Sequence, residues 1–190
     1  MQQVTEIRWH ARGGQGAVTA AKMTAEVALS QDKYFQAFPE YGPERSGAPI
    51  VAFTRISDEP IQIYSAIEHP GYVLVLDPTL LDAVDVTAGT GNGAVVIINS
   101  EEDAGALAAR AGMEGKQVYT VPATRIALET IGRAIPNTPL IGALAKVSGI
   151  FPLEGVLDEV KTSLGKKFSD EVVGANLDAV RRGYEEVAGS

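Results

Sequence analysis

Trp9-His10-Ala11-Arg12-Gly13-Gly14-Gln15-Gly16-Ala17 carries an apolar segment into a glycine cluster and then into an alanine-rich helical pattern. The run reads as a strand, a tight turn and a helix start. Glycines at 13, 14 and 16 permit positive φ and let a ligand approach without Cβ obstruction, while the first amides of the helix point outward unpaired. The helix dipole adds partial positive charge at those amides, so the turn suits an anion. Arg12 beside it can add a bidentate contact to phosphate or carboxylate. Close strand–helix packing would call for the same glycines.

Neither standard nucleotide motif fits. Counted from Gly13, the dinucleotide fingerprint needs glycine where the chain has Gln15 and Val18. The acid expected about 20 residues on, which would hold a ribose hydroxyl, is replaced by Lys33-Tyr34-Phe35-Gln36. No G-x-x-x-x-G-K-[ST] run is present.

Outward from the turn, Val4 to His10 alternates as a strand, and Ala17, Ala20, Ala21, Thr24, Val27 and Ala28 share one helical face. Tyr34 to Phe38 reads as a short strand ended by Pro39, and Pro39 to Gly47 as a loop stiffened by proline and glycine. Pro49 to Ser57 is a β-branched strand, and Asp58-Glu59-Pro60 is turn chemistry leading into Ile61 to Tyr64, a predicted hairpin partner. Tyr72 to Asp77 and Ala94 to Asn99 are continuous apolar runs, the pattern of strands buried on both faces of a parallel sheet. Ser100 with Asp103 resembles a capping box opening a helix. Gln117 to Val121 is a further strand, followed by a helix near Ala123 to Ala134.

The last third shows no strand pattern. Asn137 caps a helix with Pro139 in its first turn, stopped by Gly149. Leu153, Val156, Leu157, Val160 and Leu164 form a second stripe, closed by Gly165 with Lys166 and Lys167. Val173, Leu177, Val180, Tyr184 and Val187 form a third. Such stripes cover a sheet or face a partner chain. The expected fold is α/β: a three-layer α/β/α domain with a mostly parallel central sheet, sheet-forming over about 1–134 and helical over about 135–190.

The 190 residues suit one domain, and no apolar run approaches the roughly 18 residues of a membrane span. Met1 to Arg8 lacks the apolar core of a signal peptide, so the cytoplasm is the expected compartment. With no cysteine, the chain cannot hold disulfides, thiolate zinc or cysteine-ligated iron–sulfur clusters. A net charge of −8 argues against non-specific nucleic-acid binding.

His10 and His69 are the only histidines and are not at metal-ligand spacing. His10 and Asp77 stand at carboxyl ends of strands, where α/β folds put ligands, although local backbone satisfaction and an Asp-Pro turn explain them equally well. Ser30 and Ser46 lack the G-x-S-x-G elbow of acyl-serine enzymes. Arg45 and Ser46, carried with Glu40 and Glu44 on the stiffened loop, suit recognition of phosphate, carboxylate or a neighbouring subunit. A solvated Arg45–Glu44 or Arg45–Glu40 pair is the plain alternative.

Arg12 to Ala21, Ala37 to Pro49, Ala52-Phe53-Thr54-Arg55-Ile56 and Asp77-Pro78-Thr79-Leu80-Leu81, in this order and spacing, resemble the gamma subunits of the 2-oxoacid:ferredoxin oxidoreductase family, of the pyruvate type. The likeness runs from position 6 to about 160. It implies a subunit of a complex that oxidatively decarboxylates pyruvate with coenzyme A, giving acetyl-CoA, carbon dioxide and reduced ferredoxin. It implies that this chain contacts coenzyme A, and Arg12, Gly13, Gly14, Gln15, Gly16, Arg45 and Ser46 are the residues expected to do so. Thiamine diphosphate, Mg2+ and 4Fe-4S clusters are implied for partner subunits (alpha, beta and a ferredoxin-like delta), with ferredoxin as acceptor. No catalytic residue or metal ligand is expected on this chain, which also lacks a Gly-Asp-Gly thiamine signature. Two other readings are a gamma subunit for branched-chain 2-oxoacids and a purely structural interface module. A free-standing NAD or FAD oxidoreductase is opposed by the missing ribose-binding acid.

Overall fold

The computed structural model describes residues 4–40 and 47–189. Seven strands form one sheet in the order β2-β3-β1-β4-β5-β6-β7. They are β1 (Val4–Arg12), β2 (Tyr34–Glu40), β3 (Pro49–Ser57), β4 (Tyr72–Val75), β5 (Val95–Asn99), β6 (Gln117–Val121) and β7 (Ala188–Gly189). The central β1, β4, β5 and β6 are mutually parallel, β3 runs against β1, and β7 runs against β6. Since β2 opposes β3, it points the same way as β1, so the sheet is mostly parallel by strand direction.

Side-chain alternation divides the core into two layers. Trp9, Leu74 and Ile97 point to one face, covered by α1 (Ala17–Leu29), α3 (Ala123–Thr130), α4 (Asn137–Ser148), α5 (Leu153–Gly165) and α6 (Asp170–Glu186). Val73, Val75, Val96 and Ile98 point to the other, covered by α2 (Ala104–Arg110) and a 3-10 turn at Pro78–Asp82. The β1–β2 connection through α1 therefore lies on one face, and the β4–β5 and β5–β6 connections lie on the other. The β1–β4 boundary is the switch point of the sheet, outside which α/β folds open a ligand crevice.

Trp9 ties the first layer to the sheet. Its fully buried ring donates from Nε1 to Thr54 Oγ1 at 3.1 Å, and that hydroxyl donates to Ala21 O at 3.1 Å. One side chain thus joins β1, β3 and α1, and no polar atom of the trio is left unpaired.

Several local expectations change. Ile61 to Tyr64 is not a strand, because both edges of β3 are already taken by β1 and β2. The hairpin is β2–β3 instead, and the 61–66 segment lies as coil, its Ile63 and Ala66 carbonyls accepting from the buried Arg55 guanidinium at 3.5 and 3.3 Å. Pro39 does not end β2 but pairs opposite Ala52, which an edge strand tolerates since its outer side needs no donor. The α2 cap is Asp103, accepting from Ala106 N, while Ser100 accepts from Glu102 N and stays outside the helix. A strand does occur in the last third: β7, two residues long and too short to leave a periodic pattern. No helix among the described residues is long and apolar enough to cross a membrane.

Candidate functional site

The turn after β1 follows from its sequence. Gly14 and Gly16 adopt φ of 97° and 86°, conformations that disfavour a side chain, and they swing the chain from β1 into α1. Gly16 caps α1 with backbone alone: no side chain caps the helix and no acid stands in its first turn. Gly13 N donates to Ala48 O and Gln15 N to Arg12 O, closing the turn internally. Among the described residues, the amides of Gly14, Gly16, Ala17, Val18 and Thr19 carry no backbone acceptor, and Ala20 N donates to Gly16 O at 2.8 Å. A Cβ built on Gly14 or Gly47 would meet nothing within 4 Å among the described residues.

Side chains from the end of β4 brace this turn. Gln15 Nε2 donates to Asp77 Oδ2 at 2.7 Å, while Gln15 Oε1 accepts from Arg12 N at 2.8 Å. Asp77 Oδ1 accepts from Thr79 N at 3.0 Å and from its hydroxyl at 2.6 Å. The Arg12 guanidinium donates to Thr79 Oγ1 from Nε and Nη2, reaches Gly47 O from Nη1 at 3.3 Å, and lies 3.5 Å from Asp77. Burial alone would raise the Asp77 pKa, but the hydrogen bonds from Thr79 and Gln15, with the Arg12 charge, hold it below the ordinary carboxylate value. Arg12 is thus oriented and its charge partly balanced, leaving the oriented amides as the main positive end of the site.

On the opposite side Asn137, the buried first residue of α4, lies over Gly16: its Nδ2 is 2.8 Å from where a Gly16 Cβ would stand. Asn137 therefore does more than open a helix. It enforces glycine at 16. Further along the same rim of the sheet, a cleft of about 460 Å3 is lined by Pro78, Asn99, Ser100, Pro122, Thr124 and Arg125, with the carboxylates of Glu101 and Glu102 also at its edge.

Among the expected site residues, Arg12, Gly13, Gly14, Gln15 and Gly16 come together in this turn, and Asp77 joins them. Arg45 and Ser46 lie outside the described residues, though Gly47, which follows them, touches the turn through Arg12. His10 does not line the turn. It is buried, accepts at Nε2 from Arg8 Nε at 3.1 Å, and has its pKa lowered to about 4 by desolvation and by the Arg8 charge. Sequence reasoning gave no separate role to Thr79 and made Asn137 a helix cap, whereas Pro136 holds the cap position of α4 without a side-chain bond and Asn137 is the first residue inside the helix. The Asp77-Pro78-Thr79 spacing, in which a carboxylate can accept the amide two residues on, is the local signal for Thr79. Cysteine-ligated clusters do not fit a chain without cysteine, and no group of three His, Cys, Asp or Glu among the described residues could hold a metal ion.

A helix N-terminus without a side-chain cap among the described residues, at a sheet switch point and reached through a glycine turn, is an arrangement that α/β folds use to receive anions. The chain's kinship is specific. The sequence model of the pyruvate ferredoxin/flavodoxin oxidoreductase family matches residues 6–186. The chain is 50% identical over 182 residues to pyruvate synthase subunit PorC of Thermotoga maritima, covering 96% of this chain and 94% of that one. It is 48% identical over 181 residues to the pyruvate/ketoisovalerate oxidoreductases common subunit gamma of Thermococcus litoralis, covering 95% and 96%. The crystal structure of pyruvate oxidoreductase subunit PORC from Thermotoga maritima superposes with a TM-score of 0.88 at 45% identity, covering 100% of this chain and 99% of that one. The chain belongs to the pyruvate ferredoxin/flavodoxin oxidoreductase family, as a gamma-type subunit of that oxidoreductase. A gamma subunit dedicated to branched-chain 2-oxoacids is not favoured, since pyruvate stands in the names of both relatives.

Proposed function

We propose that this chain holds the phosphate-bearing part of coenzyme A in a pyruvate:ferredoxin oxidoreductase that forms acetyl-CoA and carbon dioxide and reduces ferredoxin. The observation that carries the reading is the α1 N-terminus: among the described residues no side chain caps it, no acid stands in its first turn, and nothing lies within 4 Å of a Cβ on Gly14. A diphosphate or phosphate at that point accepts from oriented amides and lies along the favourable end of the helix dipole. Arg12 supplies a charged donor already oriented by Asp77 and Thr79, and Arg45 and Ser46, which precede Gly47 in the sequence, are assigned to the same role. The 460 Å3 cleft on the same rim offers room for more of the cosubstrate.

In this reading the 2-oxoacid is decarboxylated at thiamine diphosphate with Mg2+, and electrons leave through 4Fe-4S clusters, on alpha, beta and delta subunits. This chain orients the thiol-bearing cosubstrate and packs against those partners in the cytoplasm. The likeness to the PorC subunit over nearly the whole of both chains supports the assignment.

The test is kinetic and uses the assembled enzyme. Arg12→Gln and Arg45→Ala are each expected to raise KM for coenzyme A about tenfold or more, since charge-assisted contacts are worth about 1.5–3 kcal/mol and 1.4 kcal/mol is a factor of ten. Unchanged KM and kcat for coenzyme A would reject the role. A purely structural subunit behaves differently: substitutions at Gly14 or Arg45 then dissociate the complex and leave coenzyme A affinity of the surviving complex untouched.

A further inference from the structure

Two clefts of about 340 and 450 Å3 share Thr19, Met23, Leu164 and Phe168, and so form one groove between the outer face of α1 and the α5–α6 corner. Its walls are apolar, and three large side chains stand open along it: Phe168 is 52% exposed, with Val18 and Val172 each at 38%. Exposed apolar residues grouped in this way mark a contact surface rather than scattered surface chemistry. The rim is cationic on balance: Lys22 lies at one end, Lys167 beside Phe168 and Arg133 on the α3–α4 link, against the single carboxylate of Glu26. Among the described residues, Lys22 pairs with Glu26 at 3.7 Å, an exposed contact, while Arg133 and Lys167 form no ion pair. On a chain of net charge −8, this is a local reversal of sign.

Charge decides the occupant. A second copy of this chain meeting the groove across a two-fold axis would set the same patch against itself, Lys167 and Arg133 facing their own like charges. An acidic partner pays no such repulsion and gains steering from it. The groove runs along one face of α1, where Val18, Lys22 and Glu26 recur at helical spacing, so a helix laid beside it can seat residues at i, i+3/i+4 and i+7. We infer that the α1/α5–α6 groove is the docking site for an amphipathic helix of another subunit of the oxidoreductase, one with an apolar stripe flanked by Asp and Glu. The groove adjoins the glycine turn through Thr19 and Asn137, and the two readings are told apart by their readouts, subunit retention for the groove and KM for coenzyme A for the turn.

The experiment replaces Phe168 with the photo-reactive benzoylphenylalanine in the complex assembled from its coexpressed subunits, and maps adducts by mass spectrometry. The expected adduct joins this chain to a helical segment of another subunit carrying that apolar stripe and acidic flanks. Arg133→Glu with Lys167→Glu then lowers retention of that subunit at least tenfold, while circular dichroism and Tm of the full chain remain those of the parent and KM for coenzyme A in any residual complex is unchanged. Adducts confined to this chain or a second copy, adducts to a segment without that acidic pattern, or no adduct at all would overturn the inference. So would adduct formation abolished by coenzyme A alone, which assigns the groove to the cosubstrate.

Discussion

Gln15 and Asp77 are locked together across the mouth of the β1–β4 boundary, Nε2 to Oδ2 at 2.7 Å, although 62 residues separate them in the chain. Through this contact the end of β4 sets the shape of the turn after β1. Asp77→Ala removes the acceptor for Gln15, for the Thr79 amide and hydroxyl, and the counter-charge of Arg12. The expected loss is about 1.5–3 kcal/mol of stability, read by denaturant titration of the full chain at neutral pH. An unchanged midpoint would mean that the turn is held by other contacts.

Gly14 and Gly16 both have positive φ, but only Gly16 faces a wall. Gly14→Ala is expected to cost about 1–2 kcal/mol from the backbone alone and to fold, while raising KM for coenzyme A by crowding the open side of the turn. Gly16→Ala adds a collision with buried Asn137 and is expected to lose at least about 1 kcal/mol more. Paired melting curves check the order. Equal losses would contradict the role given to Asn137.

Thr54 offers a test of the Trp9 anchor. Thr54→Val keeps the volume but leaves the indole N–H and the Ala21 carbonyl without their shared partner. The expected cost is about 1–3 kcal/mol, with a matching fall in Tm and no change in KM for coenzyme A.

His10 gives the fold an acid response. Its pKa falls from 6.5 to about 4 because burial disfavours the imidazolium and Arg8 repels it, against a smaller attraction from Asp85. The unfolded chain therefore takes up a proton between those values while the folded chain does not. The contribution is full above about pH 6.5 and is lost as pH falls toward 4, on the order of 3 kcal/mol in all. His10→Gln keeps an acceptor for Arg8 without a titrating ring, so the slope of stability against pH in that window should flatten. A parent slope retained in the variant would place the effect elsewhere. The Asp77 contribution disappears only at lower pH, because its carboxyl is held below the ordinary value.

What the sequence disclosed tracks how local each cause is. Tyr72–Val75 and Val95–Asn99 were readable because strands buried on both faces are continuous apolar runs, and α1 because its alanines fall on one face. Ile61 to Tyr64 misled because alternation reports a strand's faces and not whether a sheet edge is free to receive it. The glycine turn was readable as a strand-to-helix turn from its composition, and Gly14 and Gly16 do take positive φ there. The bracing of Arg12 by Thr79, the Gln15–Asp77 bridge and the cover of Gly16 by Asn137 were not, since each joins residues more than 60 positions apart that meet only when β1, β4 and α4 pack.

The most direct measurement is a structure of the assembled enzyme with coenzyme A bound. The account predicts a phosphate of the cosubstrate within hydrogen-bond distance of the Gly14 and Gly16 amides or the first-turn amides of α1, with Arg12 beside it. Those amides covered by a neighbouring subunit, with coenzyme A held wholly by other chains, would contradict it.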